Sequence, residues 1–403
     1  MTQQIRPFTV DIAQPKLAHI RAKLQAADFS YAPDDDAGWK YGADVAYLRE
    51  FVDYWLHRFD WPAAQGRLNR WPQFKAQVDD IDVHFYWIKS AAPNALPLIL
   101  THGWPGSVLE FHKMIDALTT APQHSPAGVA FDVVIPSLPG YGFSSRPARP
   151  IGPRRVAALW AKLMTEVLGY EKFAAQGGDW GCAVTTWLGS DFPDLLLAIH
   201  LNLCVTPMSG EPEDDEERRW RESYRKVQKA ESAYMMQHMT KPQTIGIALS
   251  DSPLGFAAWV LEKFHRWGDT HGNIESRFGK DDLITNLLLY LATDRVTSSI
   301  WMYHGAVLEM MSGTRAVPRV RCPTALAVFP AEFLPWPPRS TIERFYNVQR
   351  WTKMAAGGHF AALEEPKLLI EDLRQFCGSL RGLEAGSTLT APYWSVYIIE
   401  HCS

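Results

Sequence analysis

Apolar positions in the first 60 residues recur at helical spacing. Leu17, Ile20 and Leu24 fall on one face, as do Val45, Leu48, Val52, Trp55 and Phe59, so two amphipathic helices are predicted. Further along, the rhythm changes to short, nearly unbroken apolar runs: Leu96-Pro97-Leu98-Ile99-Leu100, Phe131-Asp132-Val133-Val134-Ile135, Lys172-Phe173-Ala174-Ala175 and Thr324-Ala325-Leu326-Ala327-Val328-Phe329. Such runs suit strands buried on both faces. Helical segments such as Cys182-Ala183-Val184-Thr185-Thr186-Trp187-Leu188 separate them, and this alternation predicts an α/β fold with a mostly parallel sheet. An N-terminal extension over 1–90, a core over 91–205 and 316–385, and an insert over 206–315 follow. The insert opens on Glu211-Pro212-Glu213-Asp214-Asp215-Glu216-Glu217-Arg218-Arg219, where acids lead and bases trail as a helix dipole favours. A solvated helix start is expected there.

The turn between the third of these strands and its helix carries the chemistry. Gln176-Gly177-Gly178-Asp179-Trp180-Gly181 has the form of a nucleophile elbow with aspartate in the place of serine. Small residues at Gly177 and Gly181 suit a strained strand-to-helix turn. A carboxylate is anionic at neutral pH and needs no base to attack an activated sp3 carbon, giving an enzyme ester. Epoxides and alkyl halides are its natural targets. Taken alone, the hexapeptide also reads as an Asp that caps a helix.

Chain order strengthens the catalytic reading. α/β-Hydrolases run nucleophile, acid, histidine, and here Asp179 is followed by Glu332, just past the strand ending at Phe329, and by His359 in Gly357-Gly358-His359-Phe360. An acid at the carboxyl end of a buried strand lies where doubly wound folds place function. The strand 96–100 runs into Thr101-His102-Gly103-Trp104-Pro105-Gly106-Ser107. A loop in that position supplies one backbone N–H of an oxyanion hole, and the residue after the nucleophile supplies the other, so Trp104 and Trp180 are the expected donors.

Four blocks in order, His102-Gly103-Trp104-Pro105-Gly106, Pro136-Ser137-Leu138-Pro139-Gly140-Tyr141-Gly142-Phe143-Ser144, Gly177-Gly178-Asp179-Trp180-Gly181 and Gly357-Gly358-His359-Phe360, resemble the epoxide hydrolases of the microsomal type, within the α/β-hydrolase superfamily. The resemblance covers the chain to about residue 380. It implies an N-terminal segment that wraps the catalytic domain, and a helical cap for the insert. It also implies two cap tyrosines that hold and protonate the epoxide oxygen, at Tyr234 and Tyr303. A phenol keeps its proton at pH 7 and still donates to a developing alkoxide. Expected substrates are a small apolar epoxide and water; no metal or organic cofactor is called for. Haloalkane dehalogenases share the aspartate, acid and histidine and use the Trp after the nucleophile for halide, a role Trp180 also fits. The tyrosine pair and Trp104 favour epoxide opening. A non-catalytic binding protein on this fold would usually have lost one of the catalytic residues, and candidates for all three stand here.

Composition changes little. The chain has 403 residues, 47% hydrophobic and 21% charged, as ordinary globular proteins do. A net charge of −4 gives no reason to expect nucleic acid, and 16 tryptophans suit an aromatic-lined pocket. Cys182, Cys204, Cys322, Cys377 and Cys402 show no C-x-x-C spacing, so neither a metal site nor a disulfide framework is indicated. The start, Met1-Thr2-Gln3-Gln4-Ile5-Arg6, lacks the apolar stretch of a signal peptide or anchor, and no run approaches a membrane span. The expectation is a soluble, cytoplasmic enzyme with no membrane partner, its state as monomer or homo-oligomer left open. The tail, 386–403, contains Tyr393-Trp394-Ser395-Val396-Tyr397-Ile398-Ile399, and its role is unexplained.

Overall fold

The computed structural model describes residues 4–35, 38–121, 128–204, 206, 208, 210–313 and 319–386. The tail beyond residue 386, whose role the sequence leaves unexplained, therefore lies outside the described residues. Nine strands form one sheet: β1 (Arg6–Phe8), β2 (Gln73–Val78), β3 (Ile81–Ile88), β4 (Leu96–Thr101), β5 (Phe131–Pro136), β6 (Phe173–Gly177), β7 (Leu196–Leu201), β8 (Val320–Val328) and β9 (Tyr346–Lys353). Their order is β1-β2-β3-β5-β4-β6-β7-β8-β9. From β5 to β9 all neighbours are parallel, while β1, β2 and β3 join antiparallel. This is the α/β-hydrolase fold.

Alternation along the strands builds two cores. Leu98, Leu100, Val133, Ile135, Ala325 and Ala327 pack on one face with Ile115, Leu369, Leu373 and Phe376. Their neighbours Ile99, Val134 and Leu326 point to the other, against Val156, Trp160, Val184 and Leu188. Side chains of successive strand residues must take opposite faces, so runs that are apolar at every position need helices on both sides. The sheet reverses its direction of growth at β4, and the crevice at the carboxyl ends of β4 and β6 is the switch point where such folds bind ligands.

The N-terminal 90 residues differ from expectation. The helices Gln14–Gln25 and Val45–His57 form, the second capped by Asp44, whose carboxylate accepts from the Ala46 amide at 2.8 Å. A third, Trp61–Leu68, follows. But β1, β2 and β3 also lie here and extend the sheet, so the sheet starts well before residue 91. The β2–β3 hairpin turns at Asp79-Asp80, with Asp79 at φ +51°. No Asn-Gly or Asp-Gly marks that turn in the sequence.

Between β7 and β8 every regular element among the described residues is helical, and the N-terminal helices brace these cap helices: Gln14–Gln25 touches Pro253–Trp267, and Val45–His57 touches Lys280–Leu291. Lys16 pairs with Asp294 across the same boundary. The acidic run starts a helix as expected, with Asp214 accepting from the Glu217 amide at 2.7 Å. It is not wholly solvated, because Glu217 is buried and pairs with Arg221 at 2.6 Å and Arg344 at 2.9 Å. Among the described residues, no single helix is long and apolar enough to cross a membrane.

Candidate active site

The floor of the site is the turn after β6. Asp179 opens the helix Asp179–Asp191 at φ +48°, in the left-handed region. A non-glycine residue there costs about 1 to 2 kcal/mol, which the surroundings offset. Two crowded contacts explain the flanking glycines. A Cβ on Gly181 would fall 1.8 Å from the Thr101 carbonyl oxygen, and one on Gly103 would fall 2.2 Å from Asp179 Oδ1. The loops after β4 and β6 therefore approach closely enough for the Trp104 amide to donate to Asp179 Oδ1 at 2.8 Å. Trp180 sits in the first helical turn, whose amides have no intrahelical acceptor. The helix dipole favours negative charge at this end.

His102 ties the first loop to the second block. Its Nδ1 donates to the Gly103 carbonyl at 3.0 Å and its Nε2 accepts from the Leu138 amide at 3.2 Å. That assigns its tautomer, and burial depresses it to about 4, so it stays neutral.

His359 hangs from the loop after β9. Its Nδ1 is 3.0 and 3.1 Å from the two Glu332 oxygens, and its Nε2 lies 3.4 Å from Asp179 Oδ2 without a hydrogen bond. Burial alone would depress the imidazole. Glu332 and Asp179 outweigh it and hold His359 well above the ordinary value. The loop is pinned to the cap: the His359 amide donates to the Trp267 carbonyl at 3.0 Å. Glu364 accepts from three amides, of Asp269 at 2.7 Å, Phe360 at 2.9 Å and Gly358 at 3.0 Å. Asp269 accepts from the Gly357 amide at 3.0 Å.

The roof is aromatic. Tyr234, on the helix Ala233–Thr240, stacks on Trp104 with centroids 5.4 Å apart, and Tyr303, on Trp301–Met311, stands edge-on to Trp180 at 4.8 Å. The two tyrosine rings are 6.0 Å apart. Burial, with Asp179 adding to it, raises both phenols well above their usual value, so both carry their protons. The two phenol hydroxyls face each other across the cavity, Tyr303 toward Tyr234. A cavity of about 480 Å³ is lined by Asp179, Trp180, Tyr234, Tyr303, Met235 and Phe333 among mostly apolar side chains.

All seven residues singled out in the sequence thus gather at one site. Others were missed. His238 lies 4.8 Å from the Tyr303 ring and 5.5 Å from the Tyr234 ring, depressed to about 3 by burial, and Glu364 and Glu110 stand beside the His359 loop and Asp179. Nothing in the sequence marks a lone glutamate as buried.

Residues 5–111 match the family model of the epoxide hydrolase N terminus, and 97–230 that of the alpha/beta hydrolase fold. A putative epoxide hydrolase of Stigmatella aurantiaca is 38% identical, over 94% of this chain and 86% of its own. Epoxide hydrolase 1 of Sus scrofa is 34% identical, over 94% and 89%. The juvenile hormone epoxide hydrolase of Bombyx mori superposes with a TM-score of 0.88 at 30% identity, covering 95% of this chain and 96% of that one. The Aspergillus niger epoxide hydrolase gives 0.82 at 30%, covering 94% and 97%. The chain belongs to the epoxide hydrolase family of α/β-hydrolases.

Proposed function

We propose that the chain opens small apolar epoxides to vicinal diols through an ester on Asp179. The observation that carries this is the Asp179 carboxylate in one apolar cavity with two protonated phenols that face each other. An Asp179 oxygen attacks an epoxide carbon, the ring C–O bond breaks, and the ring oxygen takes a proton from Tyr234 or Tyr303. Esterification removes the charge of Asp179, one of the two carboxylates that hold the His359 proton. That proton passes to the phenolate, and neutral His359, oriented by Glu332, becomes a base. It draws a proton from water as the water oxygen bonds to the Asp179 carboxyl carbon. The Trp104 and Trp180 amides hold the oxyanion. Collapse breaks the ester bond, a proton passes to the departing oxygen, and diol, carboxylate and imidazolium result.

Trp180 also presents a buried, unpartnered indole N–H, which a halide could take. The deciding experiment gives the protein aryl and alkyl epoxides and alkyl halides in parallel. Diol from the epoxides without halide release is expected; halide release alone would overturn the reading.

A further inference from the structure

Two small cavities of about 10 Å³ each lie beyond the substrate cavity, each with room for about one water molecule. The inner one is lined by Asp179, His359, Gly103, Asn202 and Glu110, and shares only Asp179 with the substrate cavity. The outer one is lined by Glu110, Lys113, Asp282, Leu283 and Asn286, and shares only Glu110 with the inner one. Lys113 and Asp282, 3.8 Å apart, are partly exposed at its far side. A line therefore runs from the surface, past Glu110, to His359. His359 lines the inner cavity and not the large one.

The hydrolytic step needs such a line. Once the ester has formed, the substrate-derived group occupies the large cavity, and water must reach Asp179 and His359 by another way. We propose that Glu110 is a positioning residue that holds the hydrolytic water beside His359, and that this water enters from the rear, past Lys113 and Asp282. The inference rests on the ester mechanism above. Burial pushes the Glu110 carboxyl up to about 8, with His359 and the backbone amides of Gly103 and Ser107 opposing and Asp179 adding, so it is mostly neutral at pH 7 and keeps a lone pair for water beside those amides. A neutral acid offers a carbonyl oxygen to one hydrogen of the water while His359 takes the other, and adds no negative charge beside the developing oxyanion. The side chain is held in place by the loop: Glu110 Oε1 fills the space where a Cβ on Gly106 would stand, 1.7 Å away.

The test separates the two half-reactions by rapid quenching and intact mass after mixing with styrene oxide. Glu110→Leu should alkylate at the native rate and hydrolyse the ester about 10 to 100-fold more slowly, since a small displacement of a reacting group has effects of that size. Glu110→Asp, which withdraws the carboxyl by one methylene, should slow hydrolysis about 10-fold and keeps the test open if the leucine variant fails to fold. Glu110→Gln retains the carbonyl acceptor and should restore hydrolysis to within about 3-fold of native. Leu283→Phe, filling the outer cavity, should slow hydrolysis alone. Native hydrolysis in the Asp and Leu variants, or alkylation falling in step with hydrolysis, would overturn the inference and leave the ester mechanism standing. Absence of any ester in the native protein and in His359→Gln would overturn both.

Discussion

Floor and roof of the substrate cavity are held by different forces. In the floor, Asp179, His359 and Glu332 are fixed by directional bonds: the Trp104 amide on Asp179, both Glu332 oxygens on His359, and three amides converging on Glu364 to set the His359 loop. In the roof, Tyr234 and Tyr303 are set by ring packing on Trp104 and Trp180, and their hydroxyls meet only each other among the catalytic groups. The floor carries the charges that must not move, and the roof keeps a donor in reserve for a ligand. The floor should therefore fail completely when broken, and the roof by degrees.

The largest effect is expected at Asp179. Asp179→Asn should lower turnover by about 10⁴-fold or more, as loss of a nucleophile does. Single turnover of the native enzyme in isotopically heavy water should leave the label in the Asp179 carboxylate, and label confined to the first-turnover diol would mean direct attack by water. The same variant also tests the electrostatics. Asp179 is one of the carboxylates that hold His359 above its ordinary value, so its removal should lower the His359 pKa, seen by NMR titration. The imidazolium would then lose its proton at a lower pH than in the native protein.

His359→Gln comes next. Turnover should fall by about 10³-fold or more while alkylation persists, because the general base acts only on the ester. A substrate-sized adduct should appear in the intact mass; rapid multiple turnover would remove His359 from the mechanism. In the roof, Tyr234→Phe and Tyr303→Phe should each slow alkylation about 10 to 1000-fold, with the double variant nearly inactive on epoxides. Native alkylation in both single variants would place the activation of the ring oxygen elsewhere.

The same contrast governs what was legible in the sequence. The floor announces itself because strained turns admit few residues: a Cβ on Gly181 or Gly103 would fall 1.8 or 2.2 Å from a neighbouring atom, and these glycines frame Asp179 at the start of its helix. The parallel strands β4, β5, β6 and β8 were legible from their apolar runs; β7 and β9 were not picked out, and β9 is interrupted by Asn347, Gln349 and Arg350. The hairpin β2–β3 was not legible either, because Lys75, Gln77 and Asp82 interrupt it and its Asp79-Asp80 turn carries no glycine. The roof was read only through family resemblance, since a tyrosine on an amphipathic helix looks like any core residue. The buried Glu217 and Glu364 and the half-buried Glu110 were invisible as interior groups. Some of their partners, Arg344 for Glu217 and Asp269 for Glu364, come from distant parts of the chain, and spacing in the sequence does not encode those meetings.

The smallest expected effect is also the finest test of how the floor is held. Glu364 is buried, touches neither Asp179 nor substrate cavity, and accepts from the amides of Asp269, Gly358 and Phe360. Burial pushes it up to about 7 while those amides and His359 pull it down. Glu364→Gln keeps size and shape but turns an amide NH₂ toward backbone donors, so at least one N–H loses its acceptor. The cost should be about 1 to 3 kcal/mol in urea unfolding. If the three amides position His359, ester hydrolysis should also slow, by about 10-fold or less, with alkylation unchanged, because only the base would be displaced. A variant that lost stability but hydrolysed at the native rate would show that the loop holds His359 through Glu332 and the Trp267 carbonyl alone, and the contrast between a bonded floor and a packed roof would narrow to those two contacts.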